Sequence, residues 1–159
     1  MRAGARKDPR GRGKNLGPIE EKLWVTIMSG SASAQDGISD RERQALNNTQ
    51  HELTTCWAYY MLVRQCVLNR AKPSEDARLI QNLNTSADRL LEHAHSIGTA
   101  IGMTLDAMSS RGHNELMTMK TLVNNDCINI SSPLRRYGLR CKQVVENPDS
   151  ILSEYVKQR

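Results

Sequence analysis

The longest regular pattern in the chain runs from Ile80 to Met108. Apolar residues stand at Ile80, Leu83, Ala87, Leu90, Ala94, Ile97, Ile101, Leu105 and Met108, three or four apart throughout. That spacing places them on one stripe of a helix and matches no strand, so it predicts a continuous amphipathic helix of about eight turns. Gly98 and Gly102 fall inside it, each costing about 1 kcal/mol relative to Ala in a helix interior. Glycines one turn apart predict a kink or a close crossing there. Upstream, Leu46, Leu53, Trp57, Tyr60, Met61, Val67 and Leu68 fall near one face of a second long helix. Ser39 and Glu42 open it as a capping box, each side chain satisfying a backbone donor that the first turn leaves unpaired. It ends near Arg70, because Pro73 disfavours helical geometry at Lys72. Ser74 is the N-cap expected for the next helix, with Glu75 and Asp76 complementing its dipole.

Joined by the short Ala71–Pro73 turn, these two helices predict an antiparallel hairpin over residues 39–110. Shorter segments surround it. Pro18–Met28 carries the stripe Ile19, Leu23 and Ile27, and a Gly/Ser link follows over 29–33. After Gly112, residues 114–124 present Leu116, Met119 and Val123, followed by a polar loop over 124–129. Ser132-Pro133 and Asn147-Pro148 each place a capping residue before Pro at the first helical position, opening two further helices. The expected fold is therefore all-α, a bundle of about five helices built on the long hairpin. One domain over 19–159 follows an arm over 1–18.

Composition narrows how such a fold is filled. The 159 residues contain no Phe and only 4% aromatics, so Leu, Ile, Val, Met and Ala must build the core, which suits helix packing better than a β-sandwich. Met103, Met108, Met117 and Met119 read as adaptable core or a partner groove, with core the default. A long stripe with few aromatics to cover it makes a homo-oligomer an expectation. No apolar run approaches the roughly 20 residues of a membrane span, and no apolar stretch of signal-peptide length follows the basic start. A chain of this size needs no staples. Cys56, Cys66, Cys127 and Cys141 are accordingly read as buried free thiols of a reducing compartment. The expected location is intracellular, cytoplasmic or nuclear, and not secreted. The sequons at Asn47, Asn84 and Asn129 would then have no role.

Charge is distributed unevenly. Arg2, Arg6, Lys7, Arg10, Arg12 and Lys14 stand against the single acid Asp8 in the first fourteen residues, which therefore carry the whole net charge of +5; the remaining 16 basic and 16 acidic groups cancel. Interleaved with Gly and Pro, this arm reads as disordered. A mobile polycation of this kind follows a phosphate backbone with an affinity that falls steeply with salt. The arm lacks aromatics, so it points to RNA or DNA phosphates and not to base reading. Arg135, Arg136, Arg140 and Lys142 form a second basic cluster around Tyr137.

Glu92, His93 and His95 come nearest to a chemical signature, because Glu92-x-x-His95 places a carboxylate and an imidazole on one helix face. A di-iron site would need a second copy that the chain does not supply, and no metal or other cofactor is expected. Over seven residues, Ala94 to Ala100 resembles the phospho-acceptor strip of bacterial histidine phosphotransfer domains, without the Lys that usually precedes the Gly. The cysteine spacings give no zinc pair. Nucleophile elbows, phosphate-binding loops and dinucleotide fingerprints are absent. The leading expectation is a non-enzymatic, nucleic-acid-associated helical protein whose body self-associates or binds a partner. The alternative is a helical protein–protein adaptor or viral accessory protein whose arm serves solubility or nuclear import. That alternative requires a contiguous apolar patch on the folded chain.

Overall fold

The computed structural model describes residues 38–70 and 73–157. They form α1 (Asp40–Arg70), α2 (Pro73–Ala100), α3 (Leu105–Leu122), a 3-10 turn (Cys127–Asn129), α4 (Ser131–Glu146) and α5 (Pro148–Lys157). No strand occurs among the described residues, and the fold is all-α. The basic arm, the 18–28 segment, the 29–33 link and the turn at Ala71 and Lys72 lie outside the described residues.

α1 is the hub and touches each of the other four helices, α2 most extensively. Its buried Leu46, Leu53, Ala58 and Leu62 meet Leu90, Ala94 and Ile97 of α2, Met119 of α3, Val144 of α4, and Ile151 and Leu152 of α5. Burying each Leu or Ile of this set contributes about 1.5–3 kcal/mol. α1 begins as its sequence predicts. The Ser39 amide donates to Glu42 Oε2 at 2.9 Å, and the Glu42 amide donates back to Ser39 Oγ at 3.3 Å. Hydrogen bonds from the Ser39 side chain, then from its backbone, hold the Glu42 carboxyl below the usual range.

The predicted eight-turn helix is in fact two. α2 stops at Ala100 because Gly102 adopts φ 78°, a left-handed conformation that only Gly enters at no steric cost. The Met103 amide then donates to Gly98 O and the Gly102 amide to Thr99 O, a Schellman ending that satisfies two otherwise orphaned carbonyls. Thr104 caps the next helix, accepting from the Ala107 amide at 3.2 Å. Leu105 and Met108 therefore belong to α3, although they sit in register with the α2 stripe. Gly112 does not break a helix either. It lies buried inside α3, where an added Cβ would meet the Trp57 ring at 3.3 Å.

The 124–129 loop is more ordered than its polarity suggests. Asn124 and Asn125 take φ 52° and 56° and end α3, and the Asp126 side chain caps the 3-10 turn. α4 starts at Ser131, two residues before Pro133, which occupies the third helical position and loses only a donor that the first turn would leave unpaired. Pro148 opens α5 directly after Asn147.

The reading of the cysteines is corrected outright. Cys56 of α1 bridges Cys141 of α4, and Cys66 of α1 bridges Cys127 of the 3-10 turn, with Cα–Cα distances of 5.1 and 5.3 Å; no cysteine is free. They are neither thiols nor metal ligands. The bridges close 85 and 61 residues of chain, for which loop-closure entropy gives about 4 kcal/mol each. Chain size bears on whether a fold needs cross-links, not on which cysteines, far apart in the chain, meet across helices.

Candidate functional site

Between α1, α2 and α3 lies a cleft of about 650 Å3, within the 300–1,000 Å3 range of small-molecule sites. α1 contributes Gln50, Thr54 and Trp57. α2 contributes Asp88, Leu91, Glu92, Ala94 and His95, and α3 closes it with Leu105, Met108, Ser109 and Gly112. Each helix supplies a face that its own period sets. Asp88, Leu91, Glu92 and His95 follow one another at i, i+3, i+4 and i+7, one edge of α2 beside its buried stripe. The kink at Gly102 turns α3 back so that Leu105 and Met108 face that edge.

Two glycines allow the walls to approach. A Cβ on Gly98 would collide with Met108 Sδ, and one on Gly112 would crowd Trp57. The walls are mainly apolar, and the mouth is apolar as well: Leu91 is 50% exposed and Leu105 68%. Exposed large apolar side chains are ordinary when scattered; these two line one cavity. Polar groups are few. Thr54 Oγ1 donates to Gln50 O at 2.8 Å and is spent within α1. Gln50 is 2% exposed, and its Oε1 accepts from Arg111, which also donates to Asn47 at 3.1 Å. Among the described residues no hydrogen bond engages Gln50 Nε2, or the side chains of Asp88, Glu92 or His95.

The sequence singled out Glu92, His93 and His95. Glu92 and His95 stand on the cleft edge, exposed, while His93 is half-buried outside it. Among the described residues no group of three metal-ligating side chains is assembled. Cleft residues that the sequence reading missed are Gln50, Thr54, Asp88, Leu91, Ser109 and Gly112. One signal was available: Asp88 and Glu92, one turn apart, directly border the apolar stripe.

The basic cluster divides. Arg140 is tied into the body, its Nη2 donating to Glu154 at 2.7 Å and to Glu52 Oε2 at 3.2 Å. Those hydrogen bonds, Glu52 first, hold its guanidinium even more firmly protonated than usual. Burial, and then hydrogen bonding to Glu52, pushes Tyr155 up to about 12 in the same network. Lys142 pairs loosely with Glu146 at 3.8 Å. Tyr137 packs near Tyr59, ring centroids 6.4 Å apart, with Arg136 over its ring at 5.2 Å. Arg135 and Arg136 are exposed. Arg2, Arg6, Lys7, Arg10, Arg12 and Lys14 lie outside the described residues. Among the described residues no helix is long and apolar enough to cross a membrane.

No family model matches the chain, and comparison with curated proteins and with solved structures finds no match.

Proposed function

We propose that this chain is a non-enzymatic helical binding protein of an oxidising compartment, and that the cleft between α1, α2 and α3 is its working surface. The observation that carries the reading is the cleft itself: a mainly apolar cavity whose rim leaves Leu91 and Leu105 exposed. An apolar group of a bound molecule would take the place of water against Trp57, Leu91, Leu105 and Met108, the ordinary source of affinity in such sites. The carboxylates and the imidazole stand at the exposed edge without hydrogen bonds to one another, an arrangement for binding rather than for acid–base transfer. The compartment follows from chemistry: two disulfides joining distant parts of the chain persist where glutathione does not reduce them.

The neutral dye Nile red tests the reading. It should bind saturably, one per chain, with a blue-shifted emission, and Ser109→Trp, which fills the cleft from an exposed position, should abolish that binding. Emission that never saturates, or that survives Ser109→Trp in a folded variant, would sink it.

A second reading, nucleic-acid association through the arm, is favoured by the exposed Arg135 and Arg136 and by the charge of residues 1–14. Phosphate-level binding would be measured by mobility shift across a salt series. Deleting residues 1–14 should flatten the salt slope; with Arg140 tied to Glu52 and Glu154, Arg140→Gln should leave that slope unchanged.

A further inference from the structure

Resting on the reading of the cleft as a binding surface, we infer that its ligand is a small organic cation: an aryl- or alkyl-amine whose apolar body lies in the cavity and whose ammonium group meets Asp88 and Glu92. Three independent observations converge on that chemistry. The cavity of about 650 Å3 has the size of a small-molecule site. Asp88 and Glu92 are the carboxylates of its lining, and no Lys or Arg stands among the lining residues. Arg111, bonded to the cleft residue Gln50, is itself committed to Gln50 and Asn47 and lies outside the lining.

The two carboxylates are one helical turn apart, so their Cβ atoms are about 5–6 Å from each other on the same face. A single ammonium placed between them donates to both. No cation of the described chain neutralises either, so the site holds a local negative field beside an apolar wall. An anionic ligand would meet repulsion there, and a neutral one would leave the field unused.

Gln50 makes the third observation. It is 2% exposed, lines the cavity, and keeps its Nε2 amide without an acceptor while its Oε1 is taken by Arg111. Nε2 stays accessible from the cavity rather than sealed in the core, and a ligand bearing an ether, hydroxyl or carbonyl oxygen would accept a hydrogen bond from it. The Trp57 ring, half-buried on the same wall, offers a flat surface to an aryl group. The ligand class is thus an amine with an apolar, preferably aromatic, body and room for one acceptor oxygen.

The test uses three probes with one body and different heads: 4-phenylbutylamine, 4-phenylbutanol and 4-phenylbutanoate. They compete with Nile red on the full oxidised chain, with Trp57 fluorescence followed in a Trp24→Tyr background. The amine should displace the dye at about tenfold lower concentration than the alcohol at low salt, and the acid should be weakest. Asp88→Asn combined with Glu92→Gln should bring the amine to the alcohol's level when the two are compared within that variant. Both positions are exposed, so folding is not at stake, and circular dichroism confirms it. If the amine and alcohol compete equally, the cation assignment is wrong although the cleft still binds. If none of the three competes while Nile red binds, the ligand class is wrong. If Nile red itself fails, the cleft reading falls with it.

Discussion

The two flanks of α1 are built on opposite principles. Toward α4, α5 and the 3-10 turn, α1 is cross-linked: Cys56 to Cys141, Cys66 to Cys127, and Glu52 to an Arg140 that also holds Glu154. Toward α2 and α3 no disulfide is made among the described residues; α1 and α3 are joined by polar contacts instead, with Thr55 donating to Glu115 at 3.0 Å, His51 beside the same carboxylate at 3.5 Å, and Arg111 donating to Gln50 and Asn47. There the chain places glycines against Met108 and Trp57, a Schellman kink at Gly102, and a cleft with an apolar rim. A binding cavity removes packing from the core, and each unfilled volume costs stability. Disulfides on the other flank offset that cost without occupying the cleft. The braced flank allows the open flank to stay open.

The largest effect should come from undoing the brace. Reducing both disulfides is expected to lower unfolding free energy by about 4–10 kcal/mol, read as a drop in the guanidinium midpoint. An unchanged midpoint would mean that packing alone holds α1 to α4, and the contrast between flanks would dissolve. Thiol titration should detect no free cysteine in the native chain and four after denaturation with reductant.

Arg140→Met comes next, at about 1–3 kcal/mol. It leaves Glu52, 15% exposed in its side chain, without its ionic partner. Its pH signature sharpens the point. The Tyr155 pKa is raised from 10.0 to about 12, so its contribution is complete below pH 10 and fades as pH rises to about 12. The spectrophotometric Tyr titration of Tyr155→Phe should lack the latest-ionising group; retention of that group would place the raised pKa elsewhere.

On the open flank, Gly102→Ala should cost about 1–2 kcal/mol, because φ 78° is unfavourable for any residue with a Cβ. Its thermal midpoint should fall while the disulfides stay intact. Since the kink also aims Leu105 and Met108 at the cleft, Nile red affinity should fall with it. A loss of stability without any loss of binding would separate the kink from the site.

The smallest effect belongs to the α1 cap. Ser39→Ala should destabilise by about 0.5–1 kcal/mol at neutral pH. Glu42 is depressed by Ser39, so this contribution is present above the ordinary carboxylate pKa and is lost as pH falls through the lowered one. Parent and variant should therefore converge in acid; a constant gap between them would show that the carboxylate takes no part.

Local signals are legible in the sequence where the physics is local. The capping box at Ser39 and Glu42, the end of α1 near Arg70 and Pro148 at the start of α5 all follow from groups within one turn of each other. The buried series Leu83, Ala87, Leu90, Ala94 and Ile97 follows from helical period alone. The stripe misled at Leu105 and Met108 because a kink that keeps apolar residues facing inward leaves the pattern intact. Gly102-Met103-Thr104, a left-handed residue followed by a capping residue, was the signal that outweighs the period. Of the cleft, only Glu92 and His95 were singled out beforehand, and for a different chemistry, since twelve residues from three helices become neighbours only after packing.

By itself, then, the sequence determined that the chain is helical, where most helices begin and end, and which face of each is apolar. These depend on interactions over three or four residues. Tertiary structure alone decided that α1 is the hub, which cysteine meets which, that Arg140 is enclosed by Glu52 and Glu154, and that Asp88 and Glu92 edge a cavity. Those outcomes join residues 14 to 88 positions apart. No spacing rule reaches that far, because the relevant distance is set by how helices pack and not by the chain between them.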